Sequence, residues 1–210
     1  MAFLEREPQL ATLESLLREA SGGQGRLAFV GGEAGVGKSS LVARFCAASA
    51  GEVRVAAVGA CDPVSSRQAL APLLDVAGAL GGEVPGLIAR PEDRDRLFRA
   101  VLERLSAGSR PTLLVLEDVH WGDDATLDLL RYLGRRVGAA RALLLATYRD
   151  DEVGPLHPLR VVLGDLATSP DVRRLALSRL SEGAVRELAA GSGLDARELH
   201  RRTGGNPFYV

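Results

Sequence analysis

The chain has 210 residues, a hydrophobic fraction of 46% and a formal net charge of −1 at pH 7. This length and apolar content suffice for one sizeable globular core and exclude a disordered chain. Because charges of both signs are interspersed, the sequence offers no broad basic face for nucleic acid or a membrane surface, and no apolar run approaches the roughly 18 residues of a membrane span.

Strand-length apolar runs alternate along the chain with segments of helical periodicity, which is typical of βα units around a mostly parallel sheet. Predicted strands are Arg26–Gly31, Val53–Val58, Leu113–Leu116, Ala142–Thr147 and Val172–Leu177. Predicted helices are Glu7–Ala20, Lys38–Ala48, Arg67–Leu80, Glu92–Ser106, one capped by Asp123, Glu182–Ala190 and Asp195–Arg202. Gly81–Pro91 is predicted to be a flexible surface loop. We therefore expect an α/β three-layer sandwich with five strands.

A phosphate-binding pattern follows the first predicted strand. The residues Gly32, Glu33, Ala34, Gly35, Val36, Gly37, Lys38 and Ser39 fit G-x-x-x-x-G-K-[ST], and Ser40 follows in the predicted helix. Main-chain N–H groups of such a loop and the helix N-terminus face phosphate oxygens. We expect Lys38 to bridge the β- and γ-phosphates and Ser39 to bind magnesium. The alternative, a glycine-rich turn that binds nothing, is disfavoured by the full match between a strand and a helix.

Lys38 is also unusual in composition. It is the only lysine among 26 lysine and arginine residues. A coding bias toward arginine explains the general preference, but it leaves the single lysine at this one position to be explained by its chemistry.

Two acids end the strand Leu113–Leu116. Glu117 and Asp118 fit a Walker B element, in which a buried strand carries carboxylates to the magnesium ion. Glu117 stands in the metal-binding position, and Asp118 is the candidate to polarise the attacking water. The alternative is two acids that merely begin a loop after a buried strand.

Arg149 follows the next predicted strand and is expected at the same carboxyl edge of the sheet. There it could contact the γ-phosphate, or it could be an ordinary solvated arginine. His120 and Trp121, just past the acids, are assigned packing rather than catalytic roles.

Several segments together resemble the AAA-like ATPase module of STAND signalling proteins, and most of all the large LuxR-type bacterial transcriptional regulators. They are Leu4–Glu7, the phosphate-binding loop, Leu116–Asp123, Ala146–Arg149 and Thr203–Phe208. The resemblance implies a P-loop NTPase fold of the AAA/RecA-like ASCE type. It also implies that Glu117 and Asp118 are the Walker B acids and that Arg149 senses the γ-phosphate.

The resemblance also places the adenine. It implies that Pro207 lies near the base and that the segment around Arg6 closes over it. Glu5 stands where the family usually has glycine, and Glu117 where aspartate is commoner.

We accordingly expect residues 1–210 to form one P-loop ATPase domain cut from a longer regulator, with 178–210 beginning a helical lid. The resemblance implies a slow, magnesium-dependent ATPase that switches between ATP and ADP states, self-associates in the ATP state and acts on effector domains. A DNA-binding domain would lie outside this chain, and we expect no direct contact with nucleic acid or membrane.

Three alternatives stay open. A small-molecule kinase would share the loop but would need an acceptor pocket and a basic lid. A nucleotide-binding module without hydrolysis is compatible with the unusual Glu117. An ATPase that binds DNA directly is disfavoured by the net charge of −1.

The two cysteines, Cys46 and Cys61, match neither a disulfide framework nor a zinc-ligand spacing. We expect both to be free thiols, and a protein with no leader or anchor segment to be cytoplasmic.

Overall fold

A computed structural model of the chain describes residues 3–63 and 68–210. The strands of this part are β1 (Arg26–Gly31), β2 (Val55–Ala60), β3 (Thr112–Glu117), β4 (Ala142–Tyr148) and β5 (Val172–Ala176). The helices are α1 (Glu7–Ser21), α2 (Lys38–Ser49), α3 (Ala71–Leu80), α4 (Val84–Leu87), α5 (Arg94–Ser106), α6 (Asp124–Gly134), α7 (Pro158–Asp165), α8 (Glu182–Leu188) and α9 (Ala196–Thr203). Short 3-10 turns lie at Pro91–Asp93, Val119–Trp121 and Val137–Ala139.

The five strands form one parallel sheet in the order β2-β3-β4-β1-β5. The predicted α/β fold with a mostly parallel five-stranded sheet is therefore confirmed. The strand β1 lies in the interior of the sheet, next to β4, and β3 pairs with the other side of β4. Because all the strands are parallel, the chain segments that follow β1, β3 and β4 leave the sheet at the same edge.

Alternate residues of the central strands pack into two different cores. In β1, Leu27 and Phe29 face the cluster formed with α3, α5, α6 and α7, whereas Ala28 and Val30 face the cluster formed with α1 and α2. All four side chains are fully buried. Burial of a large apolar side chain contributes about 1.5–3 kcal/mol, so strands buried on both faces hold the two helical layers together.

The start of α6 follows the predicted capping chemistry. The Asp123 carboxylate accepts hydrogen bonds from the N–H groups of Ala125 and Thr126, at 3.1 and 3.4 Å. The same side chain accepts the N–H of Leu70 at 3.1 Å. The predicted N-cap is confirmed, and it also fixes the residue that precedes α3.

Some predicted boundaries are wrong. The strand β2 begins at Val55 rather than Val53, because its pairing with β3 begins at the Val55–Thr112 pair. The segment predicted as a loop, Gly81–Pro91, contains the short helix α4, in which Val84 and Leu87 are buried. The predicted helix start at Arg67 lies outside the described residues, and α3 begins at Ala71.

The helix α7 was not predicted. It begins where His157 Nδ1 accepts the N–H of Leu159 at 3.2 Å, and Pro158 occupies its first turn. Leu159, Val162 and Leu163 are buried at helical spacing. The proline at the first position and this spacing are signals that the sequence does carry.

The residues after β5 form a small third core. Leu180, Ala184 and Val185 are buried together, and Leu4 and Leu199 pack against them. The N-terminal segment and the helices α8 and α9 therefore meet on one side of the glycine-rich loop.

Both cysteines are free. Cys61 is buried, and burial raises the pKa of its thiol to about 12. The thiol is therefore protonated at neutral pH.

In the described part of the chain, no helix has both the length and the apolar character needed to cross a bilayer.

The contact between β2 and α3 gives a stability test. A Cβ added at Gly59 would lie 2.0 Å from the Pro72 carbonyl oxygen, whereas one added at Gly78, exposed in α3, would meet nothing within 4 Å. Gly59→Ala should lower the free energy of unfolding by about 1–3 kcal/mol, because the backbone must move. Gly78→Ala should raise it by up to about 1 kcal/mol through helix propensity. Urea unfolding measures both; equal effects would contradict the close approach.

Candidate nucleotide-binding site

The glycine-rich loop connects β1 to α2 and curls around the side chain of Lys38. Gly37 precedes α2 with φ 103°, a conformation that side chains disfavour, and a Cβ there would meet nothing within 4 Å. Among the residues that the structure describes, no side chain caps the start of α2. The first N–H groups of this 12-residue helix are therefore left for an anion to accept.

The side chain of Lys38 lies inside the loop. The residue is only 7% exposed, and its Nζ donates to the carbonyl oxygens of Gly32 at 2.7 Å and Glu33 at 2.9 Å. Burial lowers the pKa of Lys38, and the charge of Asp118 partly opposes this change. An ammonium has three donors, so two hold the loop closed and one is left for a ligand.

Two predicted metal ligands contact each other across the site. The Ser39 hydroxyl at the start of α2 donates to Glu117 Oε2 at the end of β3, at 2.6 Å. A hydroxyl and a carboxylate at this position are oxygen ligands of the kind that Mg²⁺ uses, and Mg²⁺ usually keeps several waters besides. The donor set therefore fits a magnesium ion.

Asp118 has an uncommon backbone conformation. Its φ is 54°, in the left-handed region, and its N–H donates to Thr147 Oγ1 at 2.9 Å. This contact ties the end of β3 to β4. The residue turns out of the strand direction, and it lines a cavity of about 230 Å³ together with Lys38, Ser39 and Arg149.

Arg149 is not an ordinary solvated arginine. Its Nη1 donates to Glu152 Oε1 at 2.6 Å, and its guanidinium carbon lies 4.5 Å from the centroid of the Trp121 ring. Its backbone N–H donates to Nδ1 of His120, at 3.4 Å. Arg149 lines the same cavity as Lys38; its contact with a γ-phosphate stays a prediction.

Glu152 is a residue that sequence reasoning missed. Besides Arg149, its carboxylate accepts the indole N–H of Trp121 at 3.2 Å and lies 3.5 Å from Nε2 of the buried His120. Burial opposes ionisation of Glu152, but its pKa is lowered by the hydrogen bond and charge of Arg149 together with contributions from His120 and Trp121. Glu152 follows Arg149 by three positions, and nothing in the spacing alone marks it.

A second, more apolar cavity adjoins the first across Gly35 and Gly37. It measures about 340 Å³. Its lining includes Phe3, Leu4, Arg6, Val36, Leu180, Leu188 and Pro207. The loop thus separates a polar cavity beside Lys38 from an apolar cavity that contains the residues predicted to lie near the base.

Arg6 is buried, and its guanidinium connects two other segments of the chain through hydrogen bonds. Its Nη2 donates to Val36 O at 3.0 Å and to Ser178 O at 2.8 Å. Glu5 before it has φ 56°, a conformation that suits the glycine usual in the resembling family, and its carboxylate accepts the Ser181 N–H at 2.9 Å.

The segment after β5 is bonded directly to the loop. Arg179 donates to both carboxylate oxygens of Glu33, each at 2.6 Å. Asn206 Nδ2 donates to Glu33 Oε1 at 3.0 Å and to Ala34 O at 2.8 Å. Sequence reasoning included Glu33 only as a loop residue and missed Arg179 and Asn206 as its partners.

Comparison with known proteins supports this reading. Residues 2–146 match the AAA ATPase domain family. The chain is 28% identical to the uncharacterised protein R02095 of Rhizobium meliloti (strain 1021), over 99% of this chain and 24% of that protein. It therefore spans about a quarter of the length of this curated relative.

Solved structures share the fold. The Orc1 protein of Aeropyrum pernix, in complex with DNA, is 20% identical with a TM-score of 0.64, over 99% of this chain and 58% of that one. Cdc6p of Pyrobaculum aerophilum is 21% identical with a TM-score of 0.61, over 90% and 49%. A STAND protein with a tetratricopeptide repeat sensor from Pyrococcus horikoshii is 17% identical with a TM-score of 0.57, over 98% and 28%.

The family match includes the glycine-rich loop, Glu117 and Asp118, and it covers well over half of the chain. The fold, the loop and the match agree, and the chain belongs to the AAA ATPase domain family as an AAA-like P-loop ATPase module.

Proposed function

We propose that this module binds ATP with magnesium, hydrolyses it slowly and serves as the nucleotide-dependent switch of a longer signalling protein. The observation that carries the proposal is the buried Lys38, which lines a polar cavity together with Ser39, Asp118 and Arg149. A phosphate chain placed there would meet a lysine, an uncapped helix start and an arginine, which together favour several negative charges.

The residues have separable roles in this proposal. Ser39 and Glu117 would hold Mg²⁺, which when bound neutralises charge on the phosphate oxygens. Lys38 would donate its third ammonium hydrogen to a phosphate oxygen while the other two keep the loop closed. Asp118 would orient a water and accept its proton, and Arg149 would contact the terminal phosphate.

The neighbouring apolar cavity of about 340 Å³ would suit the adenine base of ATP. Pro207 and Arg6 both line it, and the Arg6 guanidinium already donates hydrogen bonds to Val36 O and Ser178 O. We therefore propose that Arg6 shapes this cavity and fixes the loop, and that the apolar lining contacts the base.

The contacts of residues 178–210 with the loop support a switch. Arg179 and Asn206 bond to Glu33 and Ala34, so a change in loop conformation would disturb the packing of the proposed lid. A ligand can shift such an equilibrium only through contacts that differ between the two states. Here those contacts are the ones that a terminal phosphate makes.

The output of the switch is proposed from the sequence resemblance. The chain spans 24% of its Rhizobium relative, which agrees with effector segments elsewhere in the parent protein. From the resemblance we infer transcriptional control of the LuxR type, a cytoplasmic location and self-association in the ATP state. Direct DNA binding by this chain is not proposed, because the net charge is −1.

The first test removes the ammonium. Lys38→Ala should weaken ATP binding at least about tenfold, because charge-assisted hydrogen bonds contribute about 1.5–3 kcal/mol. Isothermal titration calorimetry measures the affinity, and circular dichroism should show a folded protein. Arg18→Ala, which removes an exposed cation from α1, is the control and should bind normally. Unfolding of the Lys38 variant would mean that the side chain is structural.

The second test separates binding from hydrolysis. Asp118→Asn should lower the rate of phosphate release about 100-fold or more, as expected for loss of a general base, and leave ATP affinity nearly unchanged. Glu117→Gln should instead raise the magnesium concentration needed for half-maximal binding. Equal loss of affinity and turnover in the Asp118 variant would reassign this carboxylate to the metal. Phosphate release no faster in the unmodified chain than in the Lys38→Ala variant would leave a binding module without hydrolysis.

A further inference from the structure

We propose that Glu152, together with Trp121, is a positioning residue that orients Arg149 toward the terminal phosphate of a nucleoside triphosphate. This inference rests on the proposed function, because it concerns the same cavity. Arg149 is the residue that would touch the phosphate, whereas Glu152 and Trp121 act through it.

The guanidinium of Arg149 is held at one edge and on one face. One nitrogen, Nη1, is bonded to Glu152 Oε1 at 2.6 Å, and one face lies 4.5 Å from the Trp121 ring centroid. An edge contact and a face contact together fix the plane of a guanidinium. Within residues 3–63 and 68–210, Nη1 is the only side-chain nitrogen of Arg149 that donates a hydrogen bond, and the side chain is 27% exposed. Donors are thus left for an anion.

Trp121 and His120 support the Arg149–Glu152 ion pair. Glu152 accepts the indole N–H of Trp121 at 3.2 Å. The same carboxylate therefore accepts hydrogen bonds from both Arg149 and Trp121. The His120 ring also lies against Trp121, with a centroid distance of 4.5 Å. Because Nδ1 of His120 accepts the Arg149 N–H, the imidazole also fixes the main chain from which Arg149 extends.

The negative charge of Glu152 and its hydrogen bond to Arg149 have opposite expected effects on ATP binding. A carboxylate near a triphosphate repels it, so loss of the Glu152 charge should strengthen ATP binding if the charge alone matters. If Glu152 positions Arg149, its loss should weaken the binding of the triphosphate. The two readings therefore predict changes of opposite sign.

The chain offers a matched control and a built-in probe. Asp151 is an exposed carboxylate next to Glu152, so Asp151→Asn removes the same charge from the same loop. Trp121 is the only tryptophan of the chain, so its fluorescence reports on this cluster alone.

The experiment compares a non-hydrolysable ATP analogue with ADP, both with magnesium, on the whole chain. Calorimetry gives the affinities, and Trp121 fluorescence is recorded in parallel. The unmodified chain should prefer the analogue and give different Trp121 spectra with the two nucleotides. Glu152→Gln should reduce the preference about fivefold or more, with unchanged ADP affinity, and should make the two spectra alike. Asp151→Asn should retain the preference and the spectral difference.

A double-mutant cycle identifies the route of the effect. Arg149→Ala should lose the preference for the analogue, and Glu152→Gln added to it should cause no further loss, because Glu152 acts through Arg149. Additive losses would overturn the inference, as would a Glu152→Gln variant that keeps or increases the preference. Trp121→Phe, which keeps a ring but removes the indole N–H, should show a smaller loss by calorimetry.

Failure of the inference and failure of the proposed function are distinguishable. If neither nucleotide binds the unmodified chain, the proposed function fails and the inference fails with it. If both bind but Trp121 gives the same spectrum with each, only the positioning of Arg149 is overturned.

Discussion

The structure of the site depends on one buried ammonium. Lys38 donates to two carbonyl oxygens of its own loop, Gly32 and Glu33, and is almost removed from solvent. Burial of a charge is costly unless it is bonded, so the loop must stay curled around the side chain. The same curl leaves the start of α2 uncapped. A single side chain thus fixes the loop and supplies the charge that would attract phosphate.

The parallel sheet brings the other groups to this ammonium. Glu117 and Asp118 follow β3, Arg149 follows β4, and the loop follows β1. These strands are neighbours in the order β3-β4-β1, so side chains far apart in sequence share one edge. The hydrogen bond from Asp118 N to Thr147 Oγ1 fixes the ends of β3 and β4 relative to each other. The fold therefore produces the cavity, and the local sequence supplies its chemistry.

Features that depend on neighbouring residues could be predicted from the sequence. The loop, the acids after β3 and the cap at Asp123 are each marked by neighbouring residues, and the central strands are marked by continuous apolar runs. The role of Glu33 could not be predicted, because its partner Arg179 is 146 positions away and is one of many arginines. Glu152 was missed because its importance comes from the approach of Trp121, which only the folded loops produce. The helix α7 was missed although the sequence marks it, through Pro158 in its first turn and three apolar residues at helical spacing.

The most direct measurement of the central claim uses the fact that Lys38 is the only lysine. With ¹⁵N-labelled lysine, the chain should give a single side-chain ammonium resonance, which needs no assignment. Addition of magnesium and a non-hydrolysable ATP analogue should shift this resonance and slow its exchange with water, because the ammonium would then bond to phosphate oxygen. A resonance that does not change while calorimetry shows the nucleotide bound would contradict the account.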